Sequence, residues 1–290
     1  MHFNFHFTTA QILWTFTFAA QMVLLVVLMG RDRMKRYPWF TAAIFLMALT
    51  RLAGRLLMDR LPSITLSITF ITLADVAAVL GFLVVVEMAR RAFAGVRRVT
   101  WFAWAGGLLV IAGGILAFWG PWPPRQSLTA DSLLAVLRLM QFGYIKADML
   151  VGLLTVELGI LVVLLGRRFG SGWRTHTQRI VIGLSTAALA QLTTQAVWQF
   201  VAKTAAPHTQ AEYDKIVGLR DKLSNSYGVL YIAVFVWWIV CLWMDEPGSS
   251  AELEPETPVA EYLLPEGAEA AVEAGEAEGA EVQEEGLSGE

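Results

Sequence analysis

The sequence predicts an all-α, polytopic membrane protein: a bundle of seven transmembrane helices, N-terminus outside and C-terminus cytoplasmic, followed by a disordered acidic tail. Three observations carry that expectation. Seven long apolar segments recur along the chain. Four basic residues sit in each of three alternating loops, 31–36, 90–98 and 167–179. Finally, 15 of the 25 acidic residues are gathered in 245–290, a stretch with no Lys or Arg.

The spans read 8–29, 38–57, 63–88, 101–119, 146–166, 180–202 and 227–244, each long enough to cross about 30 Å of hydrocarbon as a helix. Hydrocarbon offers no water to exposed amides, so the backbone must satisfy itself within helices. Cationic loops are retained on the cytoplasmic side during insertion, which places the three basic loops inside. Two further features agree: the opening MHFNFHF has no Lys or Arg, and the loop around Arg125 and Asp131 is nearly neutral. The missing basic first region also argues against a cleaved signal peptide. Trp101, Trp119, Trp122, Trp198 and Trp243 fall near span ends, where amphipathic rings favour the headgroup zone. The basic loops and the apolar spans together fit the cytoplasmic membrane of a bacterium.

The overall charge of −3 averages two unlike parts, because residues 1–244 carry 22 basic against 10 acidic residues, a net of +12. Residues 1–244 therefore read as the seven-helix domain and 245–290 as the tail, whose AEAAVEAGEAEGAE run has too little apolar surface to offset the entropy of ordering. Tyr262-Leu263-Leu264 is its one sticky patch. Cys241 is the sole cysteine, which excludes an internal disulfide and a Cys metal cluster and suits a small buried side chain.

Several chemistries are missing. His2, His6, His176 and His208 lie outside the spans, so no paired intramembrane histidines await a haem. The last span, YGVLYIAVFVWWIVCLWM, has no lysine for a Schiff base, which speaks against a retinal protein. Glu87-Met88-Ala89-Arg90-Arg91 and the lack of Asn-Pro in span seven fit animal-type receptors poorly. Gly170-Ser171-Gly172 is a turn in a basic loop rather than a nucleophile elbow. No catalytic set, cofactor, metal or nucleic-acid partner is expected.

Polar groups inside the spans are the informative residues, because an Arg, Lys or Asp near a helix centre costs about 2.5 to 3.5 kcal/mol on insertion scales. Arg51 and Arg55 share one face in the outer half of span two, and Asp75 in span three lies at about the depth of Arg51, so an Arg51–Asp75 ion pair is expected. Glu157 sits about 15 Å above the cytoplasmic boundary in span five, either protonated, facing the arginines or facing a water-filled cavity. Gln191, Gln195 and Gln199 recur every four residues in span six, with Thr194 and Trp198 beside them. These amides either join helices or wall an outward-facing ligand pocket shared with Glu157, Asp75 and the two arginines.

The helical pattern of span five begins near Ser132, so about 35 residues and roughly 52 Å precede Gly166. Its first half, with Leu133, Leu137, Met140 and Tyr144 on one stripe, should project outside. Thr209 and Glu212 form a capping-box pattern ahead of a second outer helix, AEYDKIVGLRDKL. Together the two would roof the pocket. Ala103, Gly106, Gly107, Gly113 and Gly114 give span four a small-residue surface, expected to serve internal packing, and Glu87 is expected to pair with Arg91 one turn on.

RYPWFTAAIFLMALTRLAGRLL followed by ADVAAVLGFLVVVEMARRAF resembles a group of bacterial seven-helix integral membrane proteins over residues 31–98. In topology the chain is also similar to the seven-helix sensor regions of membrane histidine kinases, although a signalling domain is missing. A sensor or receptor-like module would use the outer pocket to bind a small ligand from outside and act through a cytoplasmic protein partner at the tail or the basic loops. A small-solute or proton-coupled transporter would use Asp75 and Glu157 near the midplane, but no span has a midpoint proline and the two halves do not repeat their polar positions. A noncatalytic assembly protein, with every charge structural, is the third reading.

Overall fold

The structure, a computed structural model, describes residues 8–58, 60–94, 98–119, 122, 133–165, 175–204 and 209–245. Its elements are α1 (Thr9–Gly30), the one-turn α2 (Arg33–Arg36), α3 (Pro38–Leu57), α4 (Ser63–Ala92), α5 (Arg98–Phe118), α6 (Leu133–Leu165), α7 (His176–Thr204) and α8 (Gln210–Trp243). The helices fall within the unit Met1–Glu246. The acidic tail beyond Asp245, the N-terminal heptapeptide and the loop serine Ser171 lie outside the described residues.

Six helices, α1, α3, α4, α6, α7 and α8, are long and apolar enough to cross a membrane. Helix α5 has 21 residues, with its apolar stretch at Ala105–Phe118. Phe16, Val26, Phe45, Val79, Leu164, Leu189 and Val236 are exposed on the outside of the bundle. Such a belt would drive aggregation in water, whereas hydrocarbon solvates it. The chain is therefore an all-helical, multi-span membrane protein.

Local chemistry explains where the helices begin. Thr8 Oγ1 accepts the Gln11 N–H at 3.3 Å while Gln11 Oε1 accepts the Thr8 N–H at 3.1 Å, a reciprocal cap that starts α1. Pro38 occupies the first turn of α3, where its missing N–H costs nothing. Thr209 accepts the Glu212 N–H at 3.3 Å to open α8, as its spacing predicts.

Contacts between helices run α1–α3–α4–α6–α7–α8 and back from α8 to α1, with α4 also touching α7. Six helices thus close a ring, and α5 lies outside it against α6. The end carrying Arg31–Arg36 is tightly filled: Leu24, Leu28, Tyr37, Phe40, Met88, Ile180, Phe235 and Leu242 are fully or almost fully buried in one cluster. Close approach is needed at two crossings. A Cβ on Gly159 would overlap the Ser185 side chain, and one on Gly183 would overlap the Trp238 indole.

Three expectations change here. The expected outer helix 211–223 and span seven are one continuous helix, the 34-residue α8, because no Gly-Pro signal interrupts 210–243 and Thr209 caps it as a unit. Helices α6 and α8, expected to meet over the pocket, are not neighbours in the ring, with α7 between them. Helix α5 does not use its small residues inside the chain: a Cβ on Gly106, Gly107, Gly113 or Gly114 would meet nothing within 4 Å. Its contact with the ring is made instead through Leu108, Ala112 and Leu116 against Leu153 and Leu154.

Candidate functional site

A cavity of about 330 Å³ occupies the middle of the ring, lined by α3, α4, α6, α7 and α8. Its walls toward the basic end are Phe40, Leu184 and Trp238, and toward the far end Tyr144, Asp148, Gln191 and Tyr227. Trp238 packs edge-on against Phe40 at 5.2 Å and Phe235 at 5.5 Å, which closes that floor with aromatic rings.

Asp148 is the charged group of this cavity. Gln191 Nε2 donates to its Oδ2 at 2.7 Å, and the Gln195 amide lies within electrostatic range of the same carboxylate. The Gln191 amide is neutral, so it orients the carboxyl group without supplying a counter-charge. The ion pairs among the described residues are Arg31–Asp245, Arg33–Asp245, Lys35–Asp32 and Arg91–Glu87, none of which involves Asp148. Tyr144, Tyr227 and Tyr231 surround it; Tyr144 lies within electrostatic range of Asp148 and Asp75, and Tyr227 within range of Asp148 and Arg51. The Tyr231 hydroxyl donates to Met47 Sδ at 3.2 Å.

The sequence-derived site residues are dispersed rather than united. Gln191 lines the cavity, and Gln195 reaches its carboxylate. Gln199 accepts the Trp119 indole N–H at 3.2 Å, because a four-residue repeat drifts about 40° per step around a helix and turns the third amide toward α5. Thr194 bonds back to its own helix at Ala190 O, 2.8 Å, and Trp198 lies beneath the Arg220 guanidinium at 5.3 Å. Arg51 and Arg55 line a separate groove between α1, α3 and α4.

No ion pair joins Arg51 to Asp75. Their depths do match, since Gly54 of α3 is 3.5 Å by its added Cβ from Phe70 of α4. The angle fails: Asp75 lies five residues from Phe70, about 140° around α4, and so looks toward Tyr144 of α6. Glu157 is displaced in the same way. Nine residues place it about 180° around α6 from Asp148, where both carboxylate oxygens are buried without a hydrogen-bond partner among the described residues.

Two polar contacts at the helix ends complete the picture. The buried Glu87 accepts the Phe40 N–H at 3.1 Å and pairs with Arg91 at 3.5 Å as expected, so α4 caps the start of α3. Lys146 Nζ donates to Trp119 O at 2.6 Å and Leu116 O at 3.4 Å, and lies 4.6 Å from the centre of the Trp122 ring. A cation there opposes the negative end of α5's dipole. No group of three or more His, Cys, Asp or Glu side chains suited to a metal ion occurs among the described residues.

Asp148 was missed because, two residues after Lys146, it looks like part of the polar rim of a span. The detectable signal was the face Tyr144, Asp148, Gly152 and Thr155, a polar and small stripe at helical spacing. Comparison with models of known protein families, with curated proteins and with solved structures returns no match to this chain.

Proposed function

We propose that the chain is a seven-span, receptor-like protein of the bacterial cytoplasmic membrane that binds a small organic cation in the central cavity. Asp148 carries the reading: a carboxylate held by the Gln191 amide, with no cation paired to it among the described residues, faces a cavity walled by tyrosines and a tryptophan. A buried carboxylate without a counter-charge is costly, and an ammonium ligand supplies that charge. Aromatic rings add cation–π attraction. The volume of about 330 Å³ lies at the small end of ligand pockets, which limits the ligand to an amine bearing one ring or a short chain. The topological likeness to kinase sensor regions supports a receptor, with signal passed to a cytoplasmic partner.

A thermal-shift titration of the purified full chain tests this, using 2-phenylethylamine and its neutral analogue 2-phenylethanol. The amine at 100 times its Kd should stabilise by about 2.7 kcal/mol, and the alcohol should not. Asp148→Asn should keep the fold and lose the shift. An equal response in the variant, or no response to any of a panel of small amines, would sink the cation reading.

The proposed topology takes α5 as the seventh span, its 21 residues rising about 31 Å. The basic loops then face the cytoplasm and Gln210 the outside. A membrane-impermeant thiol reagent applied to intact cells should label a cysteine at Gln210 and spare one at Lys35. The reverse pattern would invert the orientation.

A further inference from the structure

Arg51 and Arg55 lie one turn apart in the half of α3 remote from Pro38, about 20 and 26 Å along the helix from it. Neither guanidinium has an ion-pair or hydrogen-bond partner among the described residues, although the Arg51 side chain is half-buried. Both line an open groove of about 670 Å³ between α1, α3 and α4, with Gln11 and Thr50 beside them and Trp14 and Phe70 forming an apolar wall. No Asp or Glu is among the described residues that line this groove.

We propose that the groove is a binding site for an anionic phospholipid, its headgroup phosphate held between Arg51 and Arg55 and an acyl chain laid along Trp14 and Phe70. Two arginines without a counter-charge among the described residues, in the outer half of a span, favour an anionic partner, and the groove offers a planar, forked donor array of the kind that phosphate oxygens accept. The apolar wall selects an anion that carries hydrocarbon, which a free phosphate lacks. Charge favours a lipid with a net negative headgroup over a zwitterionic one, whose own ammonium would meet the two guanidiniums. The groove shares no lining residue with the central cavity, although Arg51 is within electrostatic range of Tyr227 and Tyr231; the lipid adduct should survive Asp148→Asn, which separates this site from cation binding.

The experiment is native mass spectrometry of the full chain in mild detergent, with phosphatidylglycerol, phosphatidylcholine of the same acyl chains, or inorganic phosphate added. Phosphatidylglycerol should give a retained one-to-one adduct, and phosphatidylcholine a weaker one by about tenfold. Inorganic phosphate should not compete. The R51Q/R55Q double variant should lose the adduct, whereas an R31Q/R33Q variant, altered at the opposite basic end, should keep it. If R51Q/R55Q does not fold, R51K/R55K preserves the charges and removes the forks, and it should bind several-fold more weakly. Retention by these variants at the wild-type level overturns the proposal, as does equal retention of the two lipids. Competition by inorganic phosphate would assign the groove to a free anion instead.

Discussion

Replacing Gly183 by valine should destabilise the bundle by roughly 3 kcal/mol, the upper end for inserting side-chain volume into a packed core. The added Cβ alone would overlap Trp238, and the indole has little room to retreat because Phe40 and Phe235 hold it edge-on at 5.2 and 5.5 Å. Its remaining way out is the cavity that Trp238 lines. A variant that survives should therefore have a smaller cavity and bind no amine. Trimming the partner tests the cause: Gly183→Val combined with Trp238→Leu should be less damaging than the sum of the two changes. A Gly183→Val protein within about 0.5 kcal/mol of wild type in a denaturant titration would show that the crossing is not tight.

Loss of the Glu87 carboxylate should cost roughly 2 to 3 kcal/mol when it is replaced by alanine. Tyr37 provides no side-chain cap to α3, so the first turn's amides depend on α4. Phe40 N–H donates to Glu87 Oε2 at 3.1 Å, and the Trp39 N–H is directed at the same carboxylate. Glu87→Gln keeps an acceptor oxygen and should lose only about half as much. Arg91→Ala separates capping from ion pairing: the arginine side chain is 36% exposed against 5% for Glu87, so its removal leaves the carboxylate with its backbone donors and should cost less than the loss of Glu87 itself. Equal losses from Glu87→Ala and Arg91→Ala would mean that the ion pair, not the cap, stabilises this end.

Depth along the helices was legible in the sequence, and rotation about their axes was not. Pro38–Leu57 begins and ends where its hydropathy predicts, and Arg51 and Asp75 do lie at matching heights. Hydropathy reports how far a residue sits from a span's end, and every helix rises by the same amount per residue. The direction of a side chain depends on which neighbour the helix packs against, and that choice is made by contacts such as Gly183 against Trp238 and Gly159 against Ser185. Helices α3 and α4 do pack together, and the rotation of α4, about 140° between Phe70 and Asp75, is what turns Asp75 from Arg51 toward Tyr144. The glycines of α5 mislead for a related reason: small residues permit close approach but do not say whether a partner is present.

The first and last helices of the ring lie side by side, with Leu13 of α1 3.4 Å from a Cβ added at Gly228 of α8. Synthesis proceeds from the N-terminus, so until α8 arrives the other five helices form an open arc. Tyr227, Tyr231 and Trp238, all on α8, are the final wall of the cavity. A half-made chain therefore has Asp148 without the aromatic side that would enclose a guest. Under the proposed cation binding, occupancy would mark a finished molecule, and a small amine in the medium would act as a pharmacological chaperone that favours the closed ring over the arc.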